Sequence, residues 1–247
     1  MLSEDRKNRI KELESRSFER GIFTFSDFLS PTSLSDATEM LKKGDFTVFG
    51  GVDFAERKMI RFGNSQDLGY EEEFPITILK ITLVGGKFAS PVTHRDVLGA
   101  IMGLGIERQK VGDIFISGNF AYVISHETVA KLILLSLDSV GRNKVSVEEI
   151  NSLPLDLAPK TKTQRFSVSS NRSDAIICKV FNLPREDGKE LFLKQLVFVN
   201  GKPIDNSSKA IRSGETVTVR GYGKFTFIKE DGQSKKGKPY VEIELFV

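Results

Sequence analysis

Residues 75–155 run through strand, helix, strand, strand, helix, strand, and few folds accept that order. ITILKITLV (76–84) predicts the first strand, closed by Gly85 and Gly86. Thr93 predicts the cap of a helix over HRDVLGAIMGLG, where Val97, Leu98, Ile101 and Met102 share a face. VGDIFISG and FAYVIS predict two strands joined by Gly118-Asn119, a dipeptide suited to a tight hairpin. Residues 127–137 predict a second helix, with Val129, Leu132, Ile133 and Leu137 on one side, and KVSVEEI a fourth strand. This is the split βαβ pattern of ferredoxin-like folds.

The flanking segments differ in character. Residues 2–20 predict a polar helix with Leu2, Ile10 and Leu13 scattered along it. Ser30-Pro31 signals a helix start, and Leu34, Ala37, Met40 and Leu41 keep helical spacing up to Gly44. FTVFGG and KMIRFG predict short strands, and Glu71-Glu72-Glu73 before Pro75 marks a boundary. SLPLDLAPKTKTQ (152–164) predicts a linker. Beyond it come two short helices, a strand VFVNGKPI, a strand ETVTVRGYG and a terminal hairpin with a Lys/Gly-rich tip. The expected architecture is α+β in three small domains. These are an N-terminal α/β module (1–74), a ferredoxin-like domain (75–155) and a basic domain (165–247).

Charge is spread unevenly. The net charge of the 247 residues is +3. Residues 1–159 hold 19 Lys and Arg against 23 Asp and Glu, a net of −4, whereas residues 160–247 hold 17 against 10, a net of +7. That asymmetry points to a polyanionic partner at the C-terminal end. No apolar run approaches the ~18–20 residues that span a bilayer, so no membrane partner is expected. The charged N-terminus lacks the apolar centre of a signal peptide. Cys178, the one cysteine, allows no internal disulfide, which suits a reducing cytoplasm.

The cations cluster around predicted turns. Asn171 or Ser170 can cap the first short helix, with Ile177, Val180 and Phe181 as its apolar stripe. Arg172 and Lys179, seven apart, fall on one face of it, while Arg185 and Lys189, four apart, share a face of the next helix behind Pro184. Lys202 and Arg212 follow on a strand and loop. Cations at separate points on a rigid surface can match successive phosphates of a folded RNA. Lys189 can instead pair with Glu186 as an ordinary solvated face. In the middle domain, His94 and Arg95 stand at one end of the first helix and Arg108, Gln109 and Lys110 at the other, either as RNA contacts or as caps and packing residues. Phe120 and Tyr122 fall on one face of the third strand, in a segment that loosely resembles the aromatic octamer of RNA-recognition motifs. They either stack on bases or lie under another domain.

Four segments of the basic domain, R-S-D (172–174), N-L-P-R (182–185), L-V-F-V-N-G-K-P-I (196–204) and I-R-S-G-E-T-V-T-V (211–219), resemble the alpha-L RNA-binding motif named after ribosomal protein S-four. Ser173, Pro184, Ser213 and Glu215 are mild departures from its usual pattern. Three upstream segments, D-F-L-S-P (27–31), G-G-x-x-x-A-E-R-K (50–58) and T-H-R-D-V-L-G-A-I-M-G-L-G-I-E-R-Q-K-V-G-D-I (93–114), resemble the YlmH family. The resemblance implies a cytoplasmic, ribosome-associated monomer that binds ribosomal RNA and tRNA on the large ribosomal subunit. It further implies a part in quality control of stalled nascent chains, with no cofactor and no metal.

Enzymes also carry the alpha-L motif. Pseudouridine synthases pair it with a catalytic Asp in G-R-L-D, but here Gly141-Arg142-Asn143 offers none. No H-I-G-H-type nucleotide site is present, and G-L-G-I-E-R (103–108) ends a helix rather than opening one. The expectation is therefore a binder and not an enzyme. The alternatives are an RNA-modifying enzyme with a divergent site in residues 1–155, and a cell-division or photosynthesis-linked accessory protein.

Overall fold

The computed structural model describes residues 2–41, 45–86, 89–234 and 237–247. The chain divides into two compact units, Met1–Ala158 and Pro159–Val247.

The first unit opens with α1 (Glu4–Arg20), which ends where Gly21 turns left-handed at φ 60°. Then come β1 (Thr24–Phe25), α2 (Pro31–Met40), β2 (Phe46–Phe49), β3 (Met59–Phe62) and α3 (Ser65–Leu68). Ser30 caps α2 by accepting from the Ser33 N–H at 3.2 Å. The stop expected at Gly44 lies outside the described residues. The strands form an antiparallel sheet in the order β1-β3-β2. Ile10 and Leu13 of α1 pack with Ala37, Leu41, Ile60 and Phe62.

The same unit continues with β4 (Ile76–Leu83), α4 (His94–Gly103), β5 (Val111–Ser117), β6 (Phe120–His126), α5 (Glu127–Ser136), β7 (Ser139–Val140) and β8 (Asn143–Ile150). Its sheet runs β5-β6-β4-β8-β7, antiparallel throughout, which is the split βαβ order with a short strand added. Thr93 and Asp96 form a reciprocal capping box at α4. Alternation decides the two faces. Leu79, Ile81, Ala121 and Val123 meet Val97 and Ile101 of α4 and Ala130 and Ile133 of α5. On the opposite face, Ile124 packs with Phe28 and Met59 from the N-terminal sheet region, flanked by Val52, Phe74 and Ile76. One end of that face is thus buried within the unit.

The second unit contains β9 (Thr161–Ser167), α6 (Ser173–Val180), α7 (Arg185–Leu193), β10 (Val197–Val199), β11 (Lys202–Pro203), β12 (Thr216–Val219), β13 (Gly223–Gln233) and β14 (Pro239–Phe246). The strands form one antiparallel sheet, β11-β10-β12-β13-β14-β9. Both helices lie on one face of it. Ile176, Ile177, Leu191 and Phe192 are buried against Val197, Val217, Phe225 and Val241.

Three local expectations change here. Neither Ser170 nor Asn171 caps α6, because the chain enters the helix later and Arg172 stands at the N-cap with no side-chain cap bond. The segment read as a linker through Gln164 supplies most of β9, which pairs with β14 from Thr161↔Phe246 to Ser167↔Tyr240. VFVNGKPI is not one strand but a hairpin. Asn200 and Gly201 take φ 49° and 78°, the two left-handed positions that a two-residue turn needs. The Lys-rich tip expected between β13 and β14 includes Lys235 and Lys236, which lie outside the described residues.

Candidate nucleic-acid interface

The turn between α6 and α7 is built by N-L-P-R. Asn182 adopts φ 53°, and the Leu183 N–H returns to the Cys178 carbonyl at 2.8 Å, the closing bond of a left-handed helix end. Pro184 then starts α7 without needing a donor. Gly188 lets the second helix close on the first, since a Cβ there would sit 2.2 Å from Cys178 Sγ. The result is a surface cavity of about 360 Å³ lined by Arg172, Arg185, Lys189, Asp174, Cys178 and their neighbours.

Arg172 is held rigidly. Its Nε donates to Asp174 Oδ1 at 3.0 Å and its Nη2 to Asp174 Oδ2 at 2.7 Å. Asp174 also accepts from the Ala175 N–H at 2.8 Å. Burial opposes its ionisation, but the hydrogen bonds from Arg172 and Ala175 outweigh burial and hold the carboxyl below its ordinary value. The half-buried Cys178 thiol is pushed up by burial, so it is a poor nucleophile. Lys179 is exposed on α6, Lys202 lies in β11, and Arg212 lies in the loop before β12, where its N–H donates to Glu215 at 2.7 Å. None of these three lines the cavity.

The middle-domain candidates do not converge. His94 and Arg95 are exposed in the first turn of α4, and Arg95 lines a separate open cavity of about 590 Å³ with Gly99, Gly103 and Asp138. Arg108 turns inward and donates to the carbonyls of Val111 and Gly112. Lys110 is paired with Asp27 at 2.6 Å. Gln109 takes the Phe28 N–H on its carbonyl at 2.9 Å.

Around Arg108 lies an arrangement that sequence reasoning missed. Arg57 donates through Nε to Val111 O and through Nη2 to Phe28 O, each at 3.0 Å. Asp113 accepts from the Glu56 N–H at 2.5 Å and the Arg57 N–H at 3.3 Å. Burial raises the Asp113 carboxyl, while burial and the nearby Arg108 push Arg57 down to about 10, which leaves it cationic at neutral pH. Gly50 admits the returning chain, because a Cβ there would stand 2.4 Å from Arg57 O. The G-G-x-x-x-A-E-R-K and Q-K-V-G-D-I segments therefore form a clamp between loop 50–58 and β5. The visible signal was a carboxylate, Asp113, inside an otherwise apolar strand.

The two aromatics of β6 part company. Tyr122 is 5% exposed, whereas Phe120 is 37% exposed with Lys80 Nζ 5.0 Å above its ring. His126 caps α5, its Nδ1 accepting from the Thr128 N–H at 3.2 Å. Among the described residues, no group of three or more His, Cys, Asp and Glu could hold a metal ion. No described helix is long and apolar enough to cross a membrane.

A family model described as "Putative RNA-binding domain in YlmH" matches residues 70–153, the split βαβ sheet. The "Ribosome-associated protein quality control protein P2" of Bacillus subtilis (strain 168) is 32% identical over 223 residues, which covers 89% of this chain and 86% of that protein. The solved structure of "Cell division protein ylmH from Streptococcus pneumoniae" is similar with a TM-score of 0.50 at 20% identity, covering 61% of this chain and 93% of its own, and at that identity it speaks for the fold. The class is an α+β protein carrying this RNA-binding domain. The chain belongs to the YlmH family.

Proposed function

We propose that the protein is a non-catalytic RNA-binding factor that holds ribosomal RNA and tRNA on the large ribosomal subunit during quality control of stalled nascent chains. The observation that carries this reading is the convergence of Arg172, Arg185 and Lys189 on one cavity. Three cations on two short helices locked by a Gly188–Cys178 contact make a rigid surface for phosphates. The similarity to the ribosome-associated Bacillus subtilis protein supports the ribosomal setting. Residues 1–74, 75–155 and 165–247 act as three functional modules of a cytoplasmic monomer, with the last as the main RNA grip. His94, Arg95, Lys179, Lys202 and Arg212 add peripheral phosphate contacts.

In the G-R-L-D register the aspartate's place falls to Lys144, and the neighbouring Asn143 amide is spent on Ser90, accepting from N–H at 2.8 Å and donating to C=O at 3.0 Å.

The test is co-sedimentation with purified large subunits across a salt series. Arg185→Ala with Lys189→Ala is expected to lower affinity at least about tenfold. It is also expected to flatten the log-affinity against log-salt slope by roughly 1.5–2, the loss of two phosphate contacts. Unchanged affinity and slope would move the contact elsewhere.

A further inference from the structure

The face of the second unit's sheet opposite α6 and α7 is not an ordinary solvated surface. Along β10, Val197 and Val199 point into the core and Phe198 points out. Phe198 pairs with Thr218 of β12, which pairs with Lys224 of β13. Phe225 pairs with Leu245, so the preceding Lys224 meets Phe246 of β14 across the strands. Phe198, Thr218, Lys224 and Phe246 therefore make one cross-strand row on the helix-free face. Both rings are partly exposed. Each carries a cation: Arg220 Cζ lies 4.5 Å from the Phe198 ring centroid, and Lys224 Nζ lies 4.2 Å from that of Phe246.

We propose that this row is a second RNA site, distinct from the helix-pair cavity, that takes single-stranded RNA by stacking unpaired bases on the Phe198/Arg220 and Phe246/Lys224 layers. An aromatic ring with a cation over it offers a base a π-surface and its neighbouring phosphate a counter-charge, the combination that sequence-tolerant single-strand sites use. The rings are three strand spacings apart, roughly 14 Å, so they engage separate bases of one strand. Two acidic side chains at the β14 side of this face are engaged: Glu242 pairs with Lys229 at 3.6 Å, and Glu244, two residues before Phe246, accepts from Thr161 Oγ1 at 2.8 Å. They leave the Arg220 end positive. A paired duplex cannot use the site, because its bases are already stacked on one another.

The experiment uses the full chain and a fluorescein-labelled oligouridylate of about 12 nucleotides, read by anisotropy. The Phe198→Leu, Phe246→Leu variant keeps apolar bulk and removes both π-faces. It is expected to bind at least about tenfold more weakly. The Arg185→Ala, Lys189→Ala variant is expected to change this affinity less than about threefold, which separates failure of this site from failure of the cavity reading. Arg220→Gln alters only an exposed side chain, so folding is not in question, and it is expected to lose about fivefold. Binding of the double-leucine and Arg220→Gln variants within twofold of the parent would overturn the proposal. So would a parent that does not bind the oligouridylate, a result that would leave the face to a protein partner.

Discussion

Phe28→Ala is expected to destabilise the first unit by about 4 kcal/mol, the cost of deleting a fully buried aromatic ring. Phe28 is 2% exposed and packs with Met59 and Ile124, so one ring joins the N-terminal sheet region to the face of the ferredoxin-like sheet. The fit is tight from the far side too: a Cβ on Gly112 would come within 2.9 Å of the ring's Cε1. A cavity there cannot close by backbone collapse, because the Phe28 N–H is fixed to Gln109 O and its carbonyl to Arg57 Nη2. Hydrogen exchange read by mass spectrometry is the appropriate measure. Protection is expected to fall in β3 and β6 and to stay unchanged in β12 and β13. A loss under about 1 kcal/mol would show that the ring does not join the two layers.

Asp113→Ala is expected to cost about 3 kcal/mol. It strips the acceptor from the Glu56 and Arg57 N–H groups and leaves the partly buried Arg57 and Arg108 without their nearby carboxylate. Asp113→Asn isolates the titration. Burial raises the Asp113 pKa above its unfolded value, so the stability this group contributes is fully present below the ordinary carboxylate pKa. It is lost as pH rises through the higher folded value. The wild-type urea midpoint is therefore expected to fall relative to Asp113→Asn as pH rises from the ordinary carboxylate pKa through the raised folded one. Parallel pH profiles would rule out the buried ionisation.

Local pattern made the middle domain legible. β4 alternates, β6 is a continuous apolar run behind the Gly118-Asn119 turn, α4 and α5 keep helical spacing, and Thr93 and Asp96 announce a cap three residues apart. The helix-pair corner was legible for the same reason, since Arg185 and Lys189 are one turn apart and N-L-P-R can only be a turn. What stayed hidden depends on partners distant in sequence. Lys110 faces Asp27 and Arg57 faces Val111, and nothing local distinguishes such cations from solvated ones. β1 is two residues long, too short to show a period. Tyr122 looked equivalent to Phe120, yet only the tertiary fold decides which of the two is covered. Asp174 stood two residues from Arg172 in plain view, but counting cations alone passed over the carboxylate that fixes one of them.

The pairing of β9 with β14 bears on where this unit can be cut. β9 is a polar strand, TKTQRFS, whose exposed Lys162 and Arg165 blunt the open edge of the sheet. Beneath it, β14 reads PYVEIELF, alternating and apolar, and is bonded on both sides. A fragment begun near residue 168, after β9, would strip that shield and leave β14 as a bare edge ready to add strands from other copies. Such a fragment is expected to aggregate at concentrations where one begun at Pro159 stays monomeric in light scattering.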